Sequence, residues 1–439
     1  MKSFDLIVIG AGSGLDVAVE AANRGWKVAL IEEGPLGGTC LNRGCIPSKM
    51  VIHAADVAET AGKFGLTGKI NFSATIGWAS KIVDKDARAI EQGLRSEHNP
   101  RLLKAHCRFV GNKILEVAGE RIMGKKILIA AGARPIIPTE VKDVPHITSK
   151  EALRLKRLPK SMIIVGGGYI AAEMGHFYGT MGCKITIIQR GPLLIPREDK
   201  EVSAAFTARW KKKYQVLLNS TVAKAEKRGA KVAVYVGKKK YTAEKLLVVT
   251  GVQPNSDLLD VDKTGVIVNE KGFILVNEYM QTSNKDIFAL GDIVGKYLFK
   301  HSANLEAEYV LANLFGAKKK VDYYPLPHAI FTSPQIAGVG LTEQECQGKK
   351  YVVGRYEYRN TGMGLALREE GFVKFIVERD TKEILGCHIL GPQASILIHE
   401  VVAVMKADRF KALDILRNAV HVHPALSEVV QRAAGSVKV

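Results

Sequence analysis

The hydrophobic positions of this chain gather in short continuous runs rather than in long amphipathic repeats. Residues 5–9 form one such run, and Gly10, Gly12 and Gly14 follow at once. A short apolar run bounded by turn residues predicts a strand buried on both faces, as in a parallel sheet. A helix-like pattern then extends through Ala22, and a second apolar run covers residues 27–32. Strand, glycine turn, helix and strand make a βαβ unit. The pattern returns at residues 161–165, followed by Gly166, Gly167 and Gly168, a helical stretch over 170–180 and a strand over 184–189. The two units start about 156 residues apart, a spacing that points to a duplicated domain rather than a short-period repeat.

Two further apolar runs, at 127–132 and 246–251, end in glycine and are soon followed by Pro135 and Pro254. Proline in these places marks chain crossings between domains. From Tyr323 onward the pattern changes. Alternation over 372–377 and 384–390 predicts antiparallel strands, and 395–405 and 412–418 predict helices. The expected fold class is therefore α/β, with two Rossmann-like dinucleotide-binding domains and a C-terminal α+β domain. The expected boundaries are 1–148 for the first domain, 149–258 for the second, 259–322 for a segment returning to the first, and 323–439 for an interface domain.

Composition narrows the classes. The 439 residues are 47% hydrophobic and 24% charged, which excludes a disordered chain. No apolar run approaches the ~18 residues of a membrane span, and the N-terminal run is too short for a signal peptide. Six cysteines in a chain of this length do not make a disulfide-stapled scaffold and predict the cytoplasm. The net charge of +19 and the lysine triplets at 211–213, 238–240 and 318–320 invite a nucleic-acid or anionic-surface reading. No helix-turn-helix, finger or RNP-like motif accompanies them, so the triplets read as solvated loops or helix faces.

The glycine turns carry the first chemistry. Gly10 permits a tight turn, and Gly12 lets the backbone approach a pyrophosphate lying at a helix N-terminus. Glu32 ends the second strand, where a carboxylate accepts hydrogen bonds from ribose hydroxyls; Leu15 stands where the fingerprint usually has Gly or Ala. In the second unit Gly166, Gly168 and Ala171 fit G-x-G-x-x-A, but Gln189 and Arg190 replace the acidic residue. Losing that carboxylate removes an acceptor for a 2′-hydroxyl and the repulsion of a 2′-phosphate, with which Arg190 could pair. Arg197 is a second cation of the same stretch.

Residues 37–49 read GGTCLNRGCIPSK. Cys40 and Cys45 fit two buried thiols, half a zinc site or a redox disulfide. No second Cys/His pair at ligand spacing supports zinc. A disulfide needs distortion, because five residues of regular helix rise about 7.5 Å and disulfide Cα atoms lie about 4.4–6.8 Å apart. Gly44 would permit that distortion. Cys107, Cys183, Cys346 and Cys387 show no pairing pattern and read as structural.

With the two dinucleotide units, this segment resembles the class I FAD-dependent pyridine nucleotide–disulfide oxidoreductases, the family of dihydrolipoamide dehydrogenase and the glutathione, mycothione and mercuric reductases. The resemblance covers essentially the whole chain. It includes Thr282 with IFALGD at 287–292, similar to a second FAD fingerprint, and HVHPALSE at 421–428, similar to the C-terminal catalytic segment. It implies FAD bound by Gly10, Gly12, Ser13, Gly14, Glu32, Glu33, Gly38, Thr39, Lys49, Gly132, Gly291, Asp292 and Ala303, with Asp292 accepting from the ribityl chain. It implies NADPH or NADH at Gly166, Gly168, Tyr169, Ala171, Gln189, Arg190 and Gly251, with Arg190 favouring NADPH.

The same resemblance implies a Cys40–Cys45 redox disulfide. Cys45 would be the flavin-proximal sulfur, in charge transfer with FAD as a thiolate, and Cys40 would exchange with substrate. His423 would be the acid/base and Glu428 its orienter: the thiolate is the attacking species, and an imidazole titrating near neutrality can hold its proton. Tyr169 would gate the flavin face where nicotinamide stacks. Glu173 would pair with Lys49, a cation that stabilises reduced flavin. A homodimer is expected, with His423 reaching the partner's site.

The substrate is read by differences. The tail at 435–439 lacks the cysteine pair usual in mercuric reductases, and Glu20 stands where glutathione reductases carry Arg. After Gly251, Val252 replaces the Arg that relatives often have. The pattern is most like dihydrolipoamide dehydrogenase. A mycothione-like NADPH-dependent reductase of a low-molecular-weight disulfide, or a mercuric reductase-like enzyme, is the alternative within the family. A basic nucleic-acid-binding protein is the alternative of another class.

Overall fold

The computed structural model describes residues 1–66 and 68–438. Val439, the last residue of the expected interface domain, lies outside the described residues. The chain divides into two compact units. Met1–Met50, Ile76–Ile136 and Gly251–Tyr323 form the first; Val51–Thr75, Ile137–Thr250 and Tyr324–Val439 form the second.

In the first unit, strand Lys2–Ile9 pairs in parallel with Val28–Ile31 on one side and Glu120–Ile129 on the other. Its alternate residues serve two cores. Leu6 and Val8 pack with helices Gly14–Asn23 and Lys300–Leu314, while Ile7 and Ile9 pack with Phe109 and Leu115. Burial on both faces is why the run reads as uniformly apolar. Arg101–Leu103 extends the parallel part beyond Val28–Ile31.

The run expected at 127–132 is the end of a longer strand, Glu120–Ile129. Its first half alternates polar and apolar residues and pairs antiparallel with Ile114–Val117, which in turn pairs with Cys107–Gly111. Its second half pairs in parallel with Ile287–Ala289, so the chain after residue 259 returns to this sheet. The two proline-marked crossings lie side by side: Ala133–Pro135 pairs antiparallel with Val252–Pro254.

The second unit holds a parallel sheet in the order Gln215–Leu217, Lys184–Ile188, Ser161–Val165, Lys245–Val248. Beside it is an antiparallel meander of Lys224–Arg228, Lys231–Val236 and Lys239–Ala243. This meander is absent from the sequence expectation. Lysines on its open face mask the alternation, whereas Val232, Val234 and Ala243 are buried in the core shared with the parallel sheet. The remaining sheet is antiparallel, in the order Pro327–Ile330, Ile336–Gly340, Ile384–Leu390, Phe372–Glu378, Tyr351–Glu357. Helices Ala394–Ala407, Ala412–Asn418 and Glu428–Gly435 share its core.

The lysine triplets have local reasons. Lys211, Lys212 and Lys213 form the last turn of helix Lys200–Lys213, where cations complement the helix dipole. Lys238, Lys239 and Lys240 turn into an exposed strand, and Lys318, Lys319 and Lys320 lie exposed after a helix. No helix among the described residues is long and apolar enough to cross a membrane.

One ion pair within the second unit is deeply buried. Lys374 is 1% exposed and donates to Asp199, itself 0% exposed, at 3.0 Å, and also to Glu343. Removing one member of a buried pair leaves the other uncompensated. Lys374→Ala is therefore expected to cost about 3 kcal/mol or more, read as a lower urea midpoint; a midpoint equal to that of the wild type would contradict this.

Candidate active site

The first glycine turn is closed by close backbone approach. Gly10 has φ +101°, and a Cβ there would lie 2.3 Å from the Ala130 carbonyl oxygen. A Cβ on Gly38 would lie 2.7 Å from the Gly12 Cα. Only glycine fits these two contacts, which bring the segment before Cys40 against the turn. Glu32 is held by backbone: Ala11 N–H donates to Oε2 at 2.9 Å and Gly34 N–H to Oε1 at 2.8 Å. Each carboxylate oxygen keeps a lone pair for a ribose hydroxyl. Glu33 is exposed and faces His106 at 3.2 Å.

Across the same unit, Gly132 and Gly291 adopt φ +67° and +75°, and Ala303 is buried beside Gly291. Burial alone pushes the Asp292 carboxyl above its ordinary value. Thr282 closes a turn, accepting from Asn284 N–H and donating to Asn284 O. Glu306, which the sequence did not single out, accepts from Gly291 N–H at 2.6 Å and from Tyr323 OH at 2.8 Å, and so fixes the loop that carries Asp292. A glycine cradle, a carboxylate pinned by two backbone amides and a half-buried acid whose ionisation is disfavoured by desolvation fit a dinucleotide such as FAD.

The cysteine segment is broken as the spacing requires. Helix Gly38–Arg43 stops, Gly44 leaves the helical region at φ −138° and ψ −119°, and a new helix starts at Cys45. A Cβ on Gly44 would sit 2.9 Å from Thr39 O and 3.3 Å from the Cys40 Cα. The fold-back places Cys45 within hydrogen-bonding reach of Cys40. Asn42 fastens the short helix, donating to Leu36 O at 2.8 Å and to Gly38 O at 2.9 Å. The Cys45 thiol lowers Cys40 most; against the opposing effect of burial, it acts with Lys300 and Lys49 to bring Cys40 to about 7. Burial instead pushes Cys107 and Cys183 up to about 12.

In the second unit the first turn's solution recurs. Gly166 has φ +113°, and a Cβ there would lie 2.3 Å from Val249 O. Ala171 is buried on the following helix, Tyr169–Thr180. Gln189 is buried against Gly167, and its amide donates to Leu193 O at 3.1 Å, so it serves the turn itself. Arg190 and Arg197 are exposed. Gly251, at φ +125°, belongs to the first unit.

Tyr169 opens its helix and donates its hydroxyl to Glu198. The other Glu198 oxygen meets His328 Nε2 at 2.8 Å, and the Tyr169 and His328 rings stack at 6.4 Å. Burial pushes Glu198 up, but His328 and Tyr169 outweigh it and hold the carboxyl low. Neither Glu198 nor His328 stood out in the sequence. Glu173 accepts from Phe331 N–H at 3.2 Å. Lys49 lies one turn after Cys45, on the part of its helix that belongs to the first unit.

His423 and Glu428 are brought together. His423 Nδ1 meets Glu428 Oε1 at 3.0 Å, and Ala425 N–H donates to Oε2 at 3.2 Å. A carboxylate only accepts, so Nδ1 carries the hydrogen and Nε2 is left to take a proton. The His423 side chain is 77% exposed and that of Glu428 only 9%. The imidazole hydrogen bond and the Ala425 amide hold Glu428 below its ordinary value. A second pair, His421 and Glu400 at 3.1 Å, lies nearby in the sequence.

Two dinucleotide turns on one chain and a thiol pair with one acidified sulfur define a class, a nucleotide-linked oxidoreductase of thiols and disulfides. The chain belongs to the pyridine nucleotide-disulphide oxidoreductases. Residues 4–307 match that family and residues 326–434 match its dimerisation domain. It is thus an FAD-dependent NAD(P)H:disulfide oxidoreductase of a dimer-forming family. It is 36% identical over 458 residues to mycothione reductase of Mycobacterium tuberculosis, covering 99% of each chain. It is 33% identical over 464 residues to dihydrolipoyl dehydrogenase 3 of Haloarcula marismortui, covering 99% of this chain and 97% of that one. Its fold is similar to the Cu(II) complex of the HOCl-induced flavoprotein disulfide reductase RclA of Escherichia coli, with TM-score 0.91, 28% identity and 100% of both chains covered.

The cysteine environments make a pH prediction. A thiol reacts as its thiolate, so Cys40 alkylation in reduced protein should rise with pH through a midpoint near 7, while Cys107 stays silent until unfolding. Peptide mapping after iodoacetamide pulses checks this, and equal labelling of the two sites would contradict it.

Proposed function

We propose that this enzyme uses NADPH to reduce a low-molecular-weight disulfide, with Cys40 and Cys45 as its redox pair. The observation that carries the choice of nucleotide is Arg190, exposed at the end of strand Lys184–Ile188 where an NAD site has a carboxylate. The relation to a mycothione reductase supports the substrate class. Gly10, Gly12, Glu32 and Asp292 would hold FAD, which supplies the two-electron link between NADPH and the cysteines. Residues 1–148 and 259–322 serve that site, 149–258 the NADPH site and 323–439 the subunit contact. We place the reaction in the cytoplasm.

The thiol steps follow from the chain's own groups. In the reduced enzyme the Cys40 thiolate attacks one sulfur of the substrate, forming a mixed disulfide and releasing one thiolate. The partner subunit's His423, oriented by the partner subunit's Glu428, gives that thiolate its proton. Cys45 then attacks the Cys40 sulfur, re-forming the Cys40–Cys45 bond and releasing the second thiol. The balance is one NADPH and one proton consumed, one disulfide reduced and two thiols released. Lys49 would supply the cation that stabilises reduced flavin, and Tyr169, docked on Glu198, would govern nicotinamide entry.

A dihydrolipoyl dehydrogenase working with NADH is the second reading, favoured by the 33% identical relative. Steady-state kinetics separate the two. NADPH with a mycothione-type disulfide should exceed NADH with lipoamide, and Arg190→Ala should raise the KM for NADPH about tenfold with little change for NADH. Dominance of NADH with lipoamide would overturn the reading.

A further inference from the structure

We infer that Lys300 is a shared cation that holds both the flavin's pyrophosphate at the first glycine turn and the Cys40 thiolate beside it. The inference rests on the proposal that FAD occupies that turn and that Cys40 is the exchanging thiol.

Lys300 is the first residue of helix Lys300–Leu314, preceded by Phe299 with no side-chain cap. A cation at this end opposes the helix dipole, so the position needs an anion that more than offsets the cost. Lys300 Nζ donates to Ser13 Oγ at 2.8 Å. Ser13 is 6% exposed and passes its own hydrogen to Asn304 Oδ1 at 2.9 Å, one turn along the helix that Lys300 opens. This network ties together the N-termini of two helices, Gly14–Asn23 and Lys300–Leu314, at the turn shaped for a pyrophosphate.

The same network reaches the cysteines. Ser13 follows Gly12, the Gly12 Cα is in close contact with Gly38, and Cys40 lies two residues further along that short helix. The charged and titratable groups that act on Cys40 are Cys45, Lys300 and Lys49, and the field of Lys300 exceeds that of Lys49. Two pyrophosphate charges close to Cys40 would oppose its ionisation. The Lys300 ammonium, which bonds Ser13 of that turn and acts through its charge on Cys40, would offset that effect. Flavin binding and thiol activation then depend on one side chain, which makes Lys300 a positioning and electrostatic residue for the exchange step.

The test uses two-electron-reduced holoenzyme, with Cys40 carbamidomethylation mapped by mass spectrometry from pH 5.5 to 9. Lys300→Gln should move the Cys40 midpoint upward, slow labelling at pH 7 about fivefold, and weaken FAD retention about tenfold. Lys300→Arg keeps the charge and should restore both. A Lys300→Gln profile that overlays the wild type overturns the inference, whatever its FAD retention. So does an upward shift that Lys300→Arg fails to restore. Wild-type enzyme in which Cys40 labels identically before and after reduction overturns the disulfide reading itself, and Lys300's role with it.

Discussion

The close contact of Gly44 with Thr39 O and the Cys40 Cα is the constraint on which the chemistry depends. Two cysteines five residues apart on an unbroken helix are too far apart to bond. With no side chain at residue 44, the chain stops one helix, folds against its own preceding turn and starts another at Cys45. The second sulfur then lies within hydrogen-bonding reach of the first, and together with the nearby ammonium groups it stabilises a thiolate at Cys40. Gly38 sets this assembly directly against the dinucleotide turn, since its backbone touches that of Gly12.

The two dinucleotide turns solve one steric problem in one way. Gly10 and Gly166 both take φ near +100°, and a Cβ at either would collide with a carbonyl oxygen at 2.3 Å. The units diverge where the ribose is read. Glu32 is locked by two backbone amides and can only accept, whereas Gln189 folds under its turn and leaves Arg190 exposed. One turn thus presents a carboxylate at its strand end and the other an exposed guanidinium, the difference on which the proposed choice of NADPH rests.

Much of this was legible in the chain because local rules agree with the fold. Strands buried on both faces read as continuous apolar runs, the glycine turns carry their spacing, and His423 and Glu428 lie close enough in sequence to be recognised together. What escaped was set by tertiary contact. The meander from Lys224 to Ala243 was hidden by lysines on its open face. Glu198 and His328 are 130 residues apart and meet only in the fold. Glu306 and Lys300 read as ordinary polar residues of a helix, and only the fold shows their hydrogen bonds to Gly291 and Ser13. The +19 charge pointed towards nucleic acid, yet its lysine triplets sit at a helix C-terminus and on exposed turns.

Thiol counting on the intact holoenzyme reads the Cys40–Cys45 bond itself. The chain has six cysteines. After anaerobic denaturation, four titratable thiols are expected in the oxidised enzyme and all six after reduction by one equivalent of NADPH, the added pair mapping to Cys40 and Cys45. Six thiols in both states, or a gained pair that maps elsewhere, would contradict it.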